Sequence, residues 1–335
     1  NQKFPLIHEL VGSKLVAAFT ATKILWLQKH EPDNAAKVAA VCLPHDYLTW
    51  RLRDSKSIND IVTDRSDASG TGYFNPKSNQ YERNIINYCL TNNRDLTLPK
   101  VLAPNSVVGK TREGTLIAPG AGDNAAAALG VGAQLGDVVV SLGTSGTAFA
   151  VAQNPTFDAT GEVAGFCDAT GNYLPLVCTL NASRILDSAN QILGTSFTEL
   201  DQLALKAKPG ADGLTLLPYF EGERTPNRPN AKGVLSGMAI KNATRENLAR
   251  AMIEGMLCGL ADAVQSLEKL NVAVNRIMLV GGAAKNPAVG KIASSIFGRE
   301  VLVPPAGEYV ANGAAKQAAW ALTGEMPEWK NGETK

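Results

Sequence analysis

The sequence predicts an α/β protein of two domains, and three observations carry that prediction. Its second half alternates short apolar runs with helix-period segments, the pattern of strands covered by helices. Two glycine-rich stretches, Gly120-Ala-Gly122 and Gly281-Gly282, each stand where an apolar run gives way to a helical one. The length of 335 residues is enough for about two domains at roughly 150 residues each. The texture changes after the alanine-rich run that ends at Gly130, so the domains are placed at 1–130 and 131–335.

Taken in order, Phe19–His30 mixes Phe19, Ile24, Leu25, Trp26 and Leu27 with Lys23, Gln28 and Lys29 at near-helical spacing, and Glu31-Pro32 stops it. A short helix is expected over Asp46–Leu52 and another over Ile58–Ala68, broken by Gly70-Thr71-Gly72. Gly114–Pro119 reads as a strand, followed by Gly120-Ala-Gly122-Asp123-Asn124 and a helix to Gly130. Asp137–Leu142 and Thr147–Ala152 are apolar runs joined by Gly143-Thr144-Ser145-Gly146, the signature of a β-hairpin. A strand is expected at Tyr173–Cys178, a helix at Asn181–Leu193, a strand at Leu214–Leu217 and loop at Glu221–Pro229. Thr244 is a good N-cap for a long helix to Leu270. Strand Arg276–Val280, helix Asn286–Phe297, strand Val301–Val303 and helix Ala311–Leu322 complete the alternation.

Composition excludes several classes. With 32 Lys and Arg against 31 Asp and Glu, the net charge of +1 gives no field to hold nucleic acid or an anionic membrane. No run of 18 or more apolar residues could span a bilayer. The five cysteines form no C-x-x-C pair, which argues against a zinc site or redox dithiol and for small buried side chains in a reducing cytoplasm. No metal-ligand motif is found, H-E-x-x-H included.

All three histidines, His8, His30 and His45, precede the glycine-rich segments, so the base is expected to be a carboxylate or a lysine rather than a histidine. Asp123 is the leading candidate. It follows a flexible turn where a strand becomes a helix, a place where α/β proteins present side chains to ligands and where the helix N-terminus keeps a carboxylate ionised. A helix-capping aspartate without further role fits the same position. Gly143-Thr144-Ser145 offers backbone N–H groups and hydroxyls able to cradle phosphate, as well as the chemistry of a plain hairpin turn. Gly281-Gly282-Ala283-Ala284-Lys285-Asn286 opens a helix that a nucleotide could lie against, or simply eases helix packing. Gly109-Lys110-Thr111 is not a Walker A loop, because its first glycine would fall on Pro104, and the Gly143 turn lacks G-x-S-x-G spacing. Arg224 is expected to pair with Glu221 or Glu223, and Lys285 to be solvated.

Together these segments, in this order, resemble the FGGY carbohydrate kinases of the actin-like ATPase superfamily. Phe19-x-x-x-Lys23-x-x-Trp26-Leu27 resembles that family's first signature, and Gly233-Val-Leu-Ser-Gly237 through Glu254 its second. Ser66-Asp67-Ala68-Ser69-Gly70-Thr71, Gly122–Ala126, Ser141–Gly146 and Glu223-Arg224-Thr225-Pro226 look most like the members that phosphorylate D-xylulose.

The resemblance implies an actin-like (ribonuclease H-like) two-domain sugar kinase fold, with the first domain incomplete. By the same resemblance Asp123 takes the proton of the sugar 5-hydroxyl and Asn124 touches the sugar. Gly143, Thr144 and Ser145 match the second phosphate loop, and Gly281, Gly282, Ala283 and Asn286 the adenosine motif. ATP and Mg²⁺ are implied, with two domains closing on the substrates, a possible homodimer, and no nucleic-acid or membrane partner. Related kinases acting on ribulose, gluconate, glycerol or fuculose, or a non-catalytic sugar- or nucleotide-binding module, are the alternatives.

Two departures from the family pattern stand out. The Asp-x-Gly-Thr hairpin and the Met-His sugar contact that open family members do not occur, and Val107–Thr115 is shorter than usual. The sequence is therefore expected to be a fragment that is not catalytic alone.

Overall fold

A computed structural model describes residues 1–55, 57–91 and 95–329; the end of the second predicted domain, 330–335, lies outside the described residues. The chain divides into two units. One comprises Asn1–Gly132, Val151–Pro175 and the stretch from Glu308, the other Ala133–Ala150 and Leu176–Gly307.

In the first unit, helix α1 (Thr20–His30) buries Ala21 and Ile24 in a core shared with Ile7, Val11, Tyr73, Ile86 and Leu90. Helix α2 (Pro44–Leu52) starts on proline, and the Asp46 carboxylate accepts the Leu43 N–H at 2.8 Å. The single helix expected over Ile58–Ala68 is absent. Ile58–Asp60 is one 3₁₀ turn, strand β1 (Val62–Asp64) follows, and helix α3 is confined to Arg65–Ser69. Tertiary pairing overrides the helical pattern: β-branched Val62 and Thr63 enter a parallel ladder with β2 (Lys100–Leu102). Asp64 then restarts a helix, its carboxylate accepting the N–H groups of Ser66 at 2.5 Å and Asp67 at 3.3 Å. The strand expected over Gly114–Pro119 shrinks to Leu116–Ile117.

Helix α4 (Asp123–Val131) ends at Gly132, whose φ of 78° closes it in the left-handed conformation. Strands β3 (Asp137–Leu142) and β4 (Gly146–Ala150) form the expected hairpin in register Leu142↔Gly146, with Gly143, Thr144 and Ser145 as its loop. Strand β5 (Tyr173–Thr179) carries the chain into the second unit, where Leu176–Thr179 pair with β4. Helices α5 (Arg184–Leu193) and α6 (Phe197–Lys206) follow. Helix α7 (Arg245–Glu268) is capped by Thr244, which accepts the Asn247 N–H at 3.2 Å.

Strand β6 (Arg276–Val280) runs parallel to β3 from Arg276↔Asp137 to Val280↔Ser141. The Arg276 guanidinium grips the Asp137 carboxylate at 2.7 and 2.9 Å, which fixes that register at its first pair. Helix α8 (Pro287–Phe297) and strand β7 (Val301–Leu302) follow, and the strands form a six-stranded sheet in the order β7-β6-β3-β4-β5 with the strand Ala164–Cys167 beyond β5. Val138, Val139, Val140 and Leu142 are fully buried, as suits a strand covered on both faces.

Helix α9 (Tyr309–Thr323) returns to the first unit and crosses α4 at glycines. A Cβ on Gly130 would lie 1.8 Å from the Tyr309 carbonyl oxygen, and one on Gly313 would lie 1.9 Å from that of Ala126. Only glycine allows backbones so close.

Candidate active site

The first unit presents Asp123 on a turn held from several directions. Gly122 occupies the N-cap position and Asp123 is the first helical residue, so the capping reading of Asp123 does not hold. Its exposed carboxylate accepts hydrogen bonds from the Asn124 backbone N–H at 2.7 Å and from Asn124 Nδ2 at 2.9 Å. Asn124 therefore lies beside the carboxylate and orients it.

From α9, Gln317 reads the backbone of Gly120 in both directions. Gly120 N–H donates to Oε1 at 3.1 Å and Nε2 donates to the Gly120 carbonyl at 2.7 Å. Lys316, next to it, donates to the carbonyl of Leu129 at 3.2 Å near the far end of α4. From α3, Ser66 Oγ accepts the Gly122 N–H at 2.9 Å and donates to Asp64.

His45 also meets this turn, although it stands far from the glycine-rich segments in the sequence. Sequence separation did not translate into distance, because α2 packs beside β1. The imidazole Nδ1 pairs with Asp67, while Nε2 lies 3.3 Å from Asp46 and 3.6 Å from Asp64. Burial works against a charge on His45, but the hydrogen bond and negative charge of Asp67, with Asp46 and Asp64 behind, outweigh it and raise its pKa to about 9. Burial raises the Asp64 carboxyl to about 7. His45, Asp64 and Asp67 bring donor atoms within 4.8 Å of one another.

In the second unit, parallel neighbours β3 and β6 end at the same edge of the sheet, so the two predicted phosphate segments lie side by side there. Thr144 and Ser145 are exposed at the hairpin tip, and Gly143 accepts the Ser183 N–H at 2.9 Å. Gly281 has φ of 96°, and a Cβ there would strike the Leu142 carbonyl oxygen at 2.7 Å. Gly282 is exposed, with nothing within 4 Å of where a Cβ would stand. Ala283 is buried and Asn286, also buried, is the N-cap of α8. Open space, free hydroxyls and a helix N-terminus suit a polyphosphate. Neither segment contains a carboxylate.

Two smaller expectations change. Glu221 pairs with Arg184, and Glu223 is occupied by Asn181 Nδ2 at 2.9 Å and by the N–H groups of Leu180 and Arg224, so Arg224 makes no ion pair among the described residues. Cys89 and Cys167 are buried as expected, but Cys42 and Cys178 are half-buried and Cys258 is exposed.

Comparison with known proteins matches this arrangement. Residues 3–139 match the FGGY family of carbohydrate kinases, N-terminal domain, and residues 138–322 its C-terminal domain. The chain belongs to the FGGY family of carbohydrate kinases. Within the family, it is 43% identical to the xylulose kinase of Streptomyces coelicolor over 326 residues, covering 95% of this chain and 64% of that protein. It is likewise 43% identical to the xylulose kinase of Streptomyces rubiginosus over 328 residues, covering 95% of this chain and 65% of the relative. The crystal structure of xylulose kinase from Bifidobacterium adolescentis superposes with a TM-score of 0.90 at 46% identity, over 98% of this chain and 71% of that one. This FGGY chain thus spans slightly less than two thirds of the length of the Streptomyces relatives. Among its described residues no helix is long and apolar enough to cross a membrane.

Proposed function

We propose that the chain is the larger part of an ATP-dependent kinase that phosphorylates D-xylulose on its 5-hydroxyl, with Asp123 as general base. The observation that carries this reading is the placement of Asp123. It is an exposed carboxylate on the first turn of α4, fixed by Asn124 and held on a turn that Gln317 and Ser66 bind by its backbone. The likeness to xylulose kinases supports the choice of sugar.

In this mechanism the Asp123 carboxylate accepts the hydroxyl proton as the sugar oxygen forms its bond to the γ-phosphorus. The bond from that phosphorus to the β,γ-bridging oxygen breaks, and ADP leaves with the bonding pair. Asn124, hydrogen-bonded to the base, is placed to touch the sugar. Gly143, Thr144 and Ser145 offer hydroxyls and N–H groups to phosphate oxygens, while Gly281, Gly282, Ala283 and Asn286 form the nucleotide turn. Mg²⁺ arriving with ATP supplies charge neutralisation on the phosphates.

The test is a coupled ADP-release assay on the full-length protein with D-xylulose, D-ribulose, glycerol and gluconate, for wild type and Asp123→Ala. Turnover on D-xylulose that falls by about three orders of magnitude or more in Asp123→Ala, with ATP still bound, is the expected outcome. Retained turnover in the variant refutes the base, and a wild type inert on every sugar refutes the kinase reading.

A further inference from the structure

We infer that His45 is a positioning residue for the turn that presents Asp123, its ring forming, with Asp67 and Ser66, the wall against which Gly120 and Gly122 close. The inference rests on the reading of Asp123 as the base. Its geometry comes from three contacts on one short segment. A Cβ on Gly120 would stand 2.9 Å from His45 Cδ2 and 3.1 Å from Nε2, so the ring fills the space beside that residue. One on Gly122 would stand 2.8 Å from Asp67 Oδ1, and Asp67 is the carboxylate that pairs with His45 Nδ1. The Gly122 N–H is held by Ser66 Oγ, itself bonded to Asp64, which lies beside His45 Nε2. Ring, carboxylate and hydroxyl thus belong to one hydrogen-bonded and ion-paired group that touches both glycines before the base.

Charge explains why the group needs an imidazolium. Asp46 is fully buried, and its Oδ1 faces His45 Nε2 at 3.3 Å. Three carboxylates therefore surround the ring: Asp46 from α2, Asp64 at the end of β1 and Asp67 from α3. Cys42 lies near Asp46, and the Gly120–Gly122 segment brings no ionisable side chain. Without the positive ring, those of the three that are ionised repel one another. Asp67 is the half-exposed one and the one free to swing toward solvent, which would take the wall from Gly122. A displacement of the base by about 1 Å is enough to slow chemistry by about 100-fold without altering nucleotide binding.

The experiment compares full-length wild type with His45→Gln, Asp67→Asn and Asp123→Ala, reading kcat, KM for ATP and D-xylulose, the pH profile of kcat and the urea midpoint. His45→Gln is expected to lose about 10- to 100-fold in kcat while KM for ATP stays within about twofold. In wild type kcat should fall above a pH of about 9 as the ring loses its proton, and Asp67→Asn should move that limb to lower pH. A residue that only stabilises the fold would lower the urea midpoint and leave kcat and its pH limb in place, and that result overturns the inference. If His45→Gln does not fold, Asp67→Asn decides by the same kcat and pH readings. Turnover retained in Asp123→Ala would overturn the base assignment itself, which the His45 variants do not test.

Discussion

Replacing Gln317 with leucine tests whether the turn before Asp123 is held by the carboxamide of α9. Gln317 is almost wholly buried at 2% exposure, and leucine keeps much of its volume while removing both hydrogen bonds to Gly120. Each such bond contributes about 1 kcal/mol net, and the stranded N–H and carbonyl of half-buried Gly120 add part of a desolvation cost. The sum is about 2–3 kcal/mol. At roughly 2–4 °C per kcal/mol for a chain of this size, Tm should fall by about 4–12 °C. Thermal unfolding followed by circular dichroism measures it, alongside kcat. Gln317→Glu should be worse, since a carboxylate oxygen would then face the Gly120 carbonyl oxygen. A Gln317→Leu protein that melts within about 1 °C of wild type would refute the argument, because it would mean that these bonds are exchanged for water without cost.

Three other outcomes are expected. Gly281→Ala puts a methyl group 2.7 Å from the Leu142 carbonyl oxygen at a φ of 96°, so the proposed nucleotide turn must shift, and isothermal titration should find ATP binding weakened by about tenfold or more. Gly130→Ala drives a Cβ to 1.8 Å from the Tyr309 carbonyl oxygen, so α4 and α9 must separate; a loss of about 3 kcal/mol or more in urea unfolding is expected, against a small gain from helix propensity if the crossing is loose. For pH, the folded His45 pKa of about 9 exceeds its ordinary value of 6.5, so its stabilisation is complete below pH 6.5 and is lost as pH rises through about 9. Asp64, raised to about 7, has the same sign: its contribution is present below its ordinary value of 3.8 and gone above about 7. The unfolding free energy from urea titrations should therefore decline between pH 6.5 and 9.5, by about 2 kcal/mol from His45 once solvent screening of its partly exposed ring is allowed for, and His45→Gln should flatten the decline.

Much of the second unit was legible because its rules are local. Val138, Val139 and Val140 form a continuous apolar strand, Gly143-Thr144-Ser145 is a recognisable hairpin loop, and Thr244 caps α7 where a threonine before a helical pattern should. Helix α6 was passed over although Ser196 and Glu199 form a capping box at its start, a signal present in the sequence. The first unit misled because its partners are distant. Nothing near Val62-Thr63-Asp64 announces that Lys100–Leu102 will draw it into a ladder. Asp123 could be found from its turn, whereas His45 and Gln317 could not, since each meets Gly120 only through the packing of other elements. The Ser66-Asp67 pair, which lies within a recognised motif, was the one available hint.

The clasp of α9 on α4 also sets an order for biosynthesis. Helix α4 ends at Val131, but the helix that covers it begins at Tyr309, after the whole second unit has been made. At roughly 5–20 residues per second, a ribosome takes on the order of 10–40 s to cover that interval. Throughout it, the alanine- and glycine-lined face of α4 waits without its neighbour. Pulse-labelled nascent chains should accordingly remain protease-sensitive around Gly120 until residue 323 has cleared the exit tunnel, and only then become resistant.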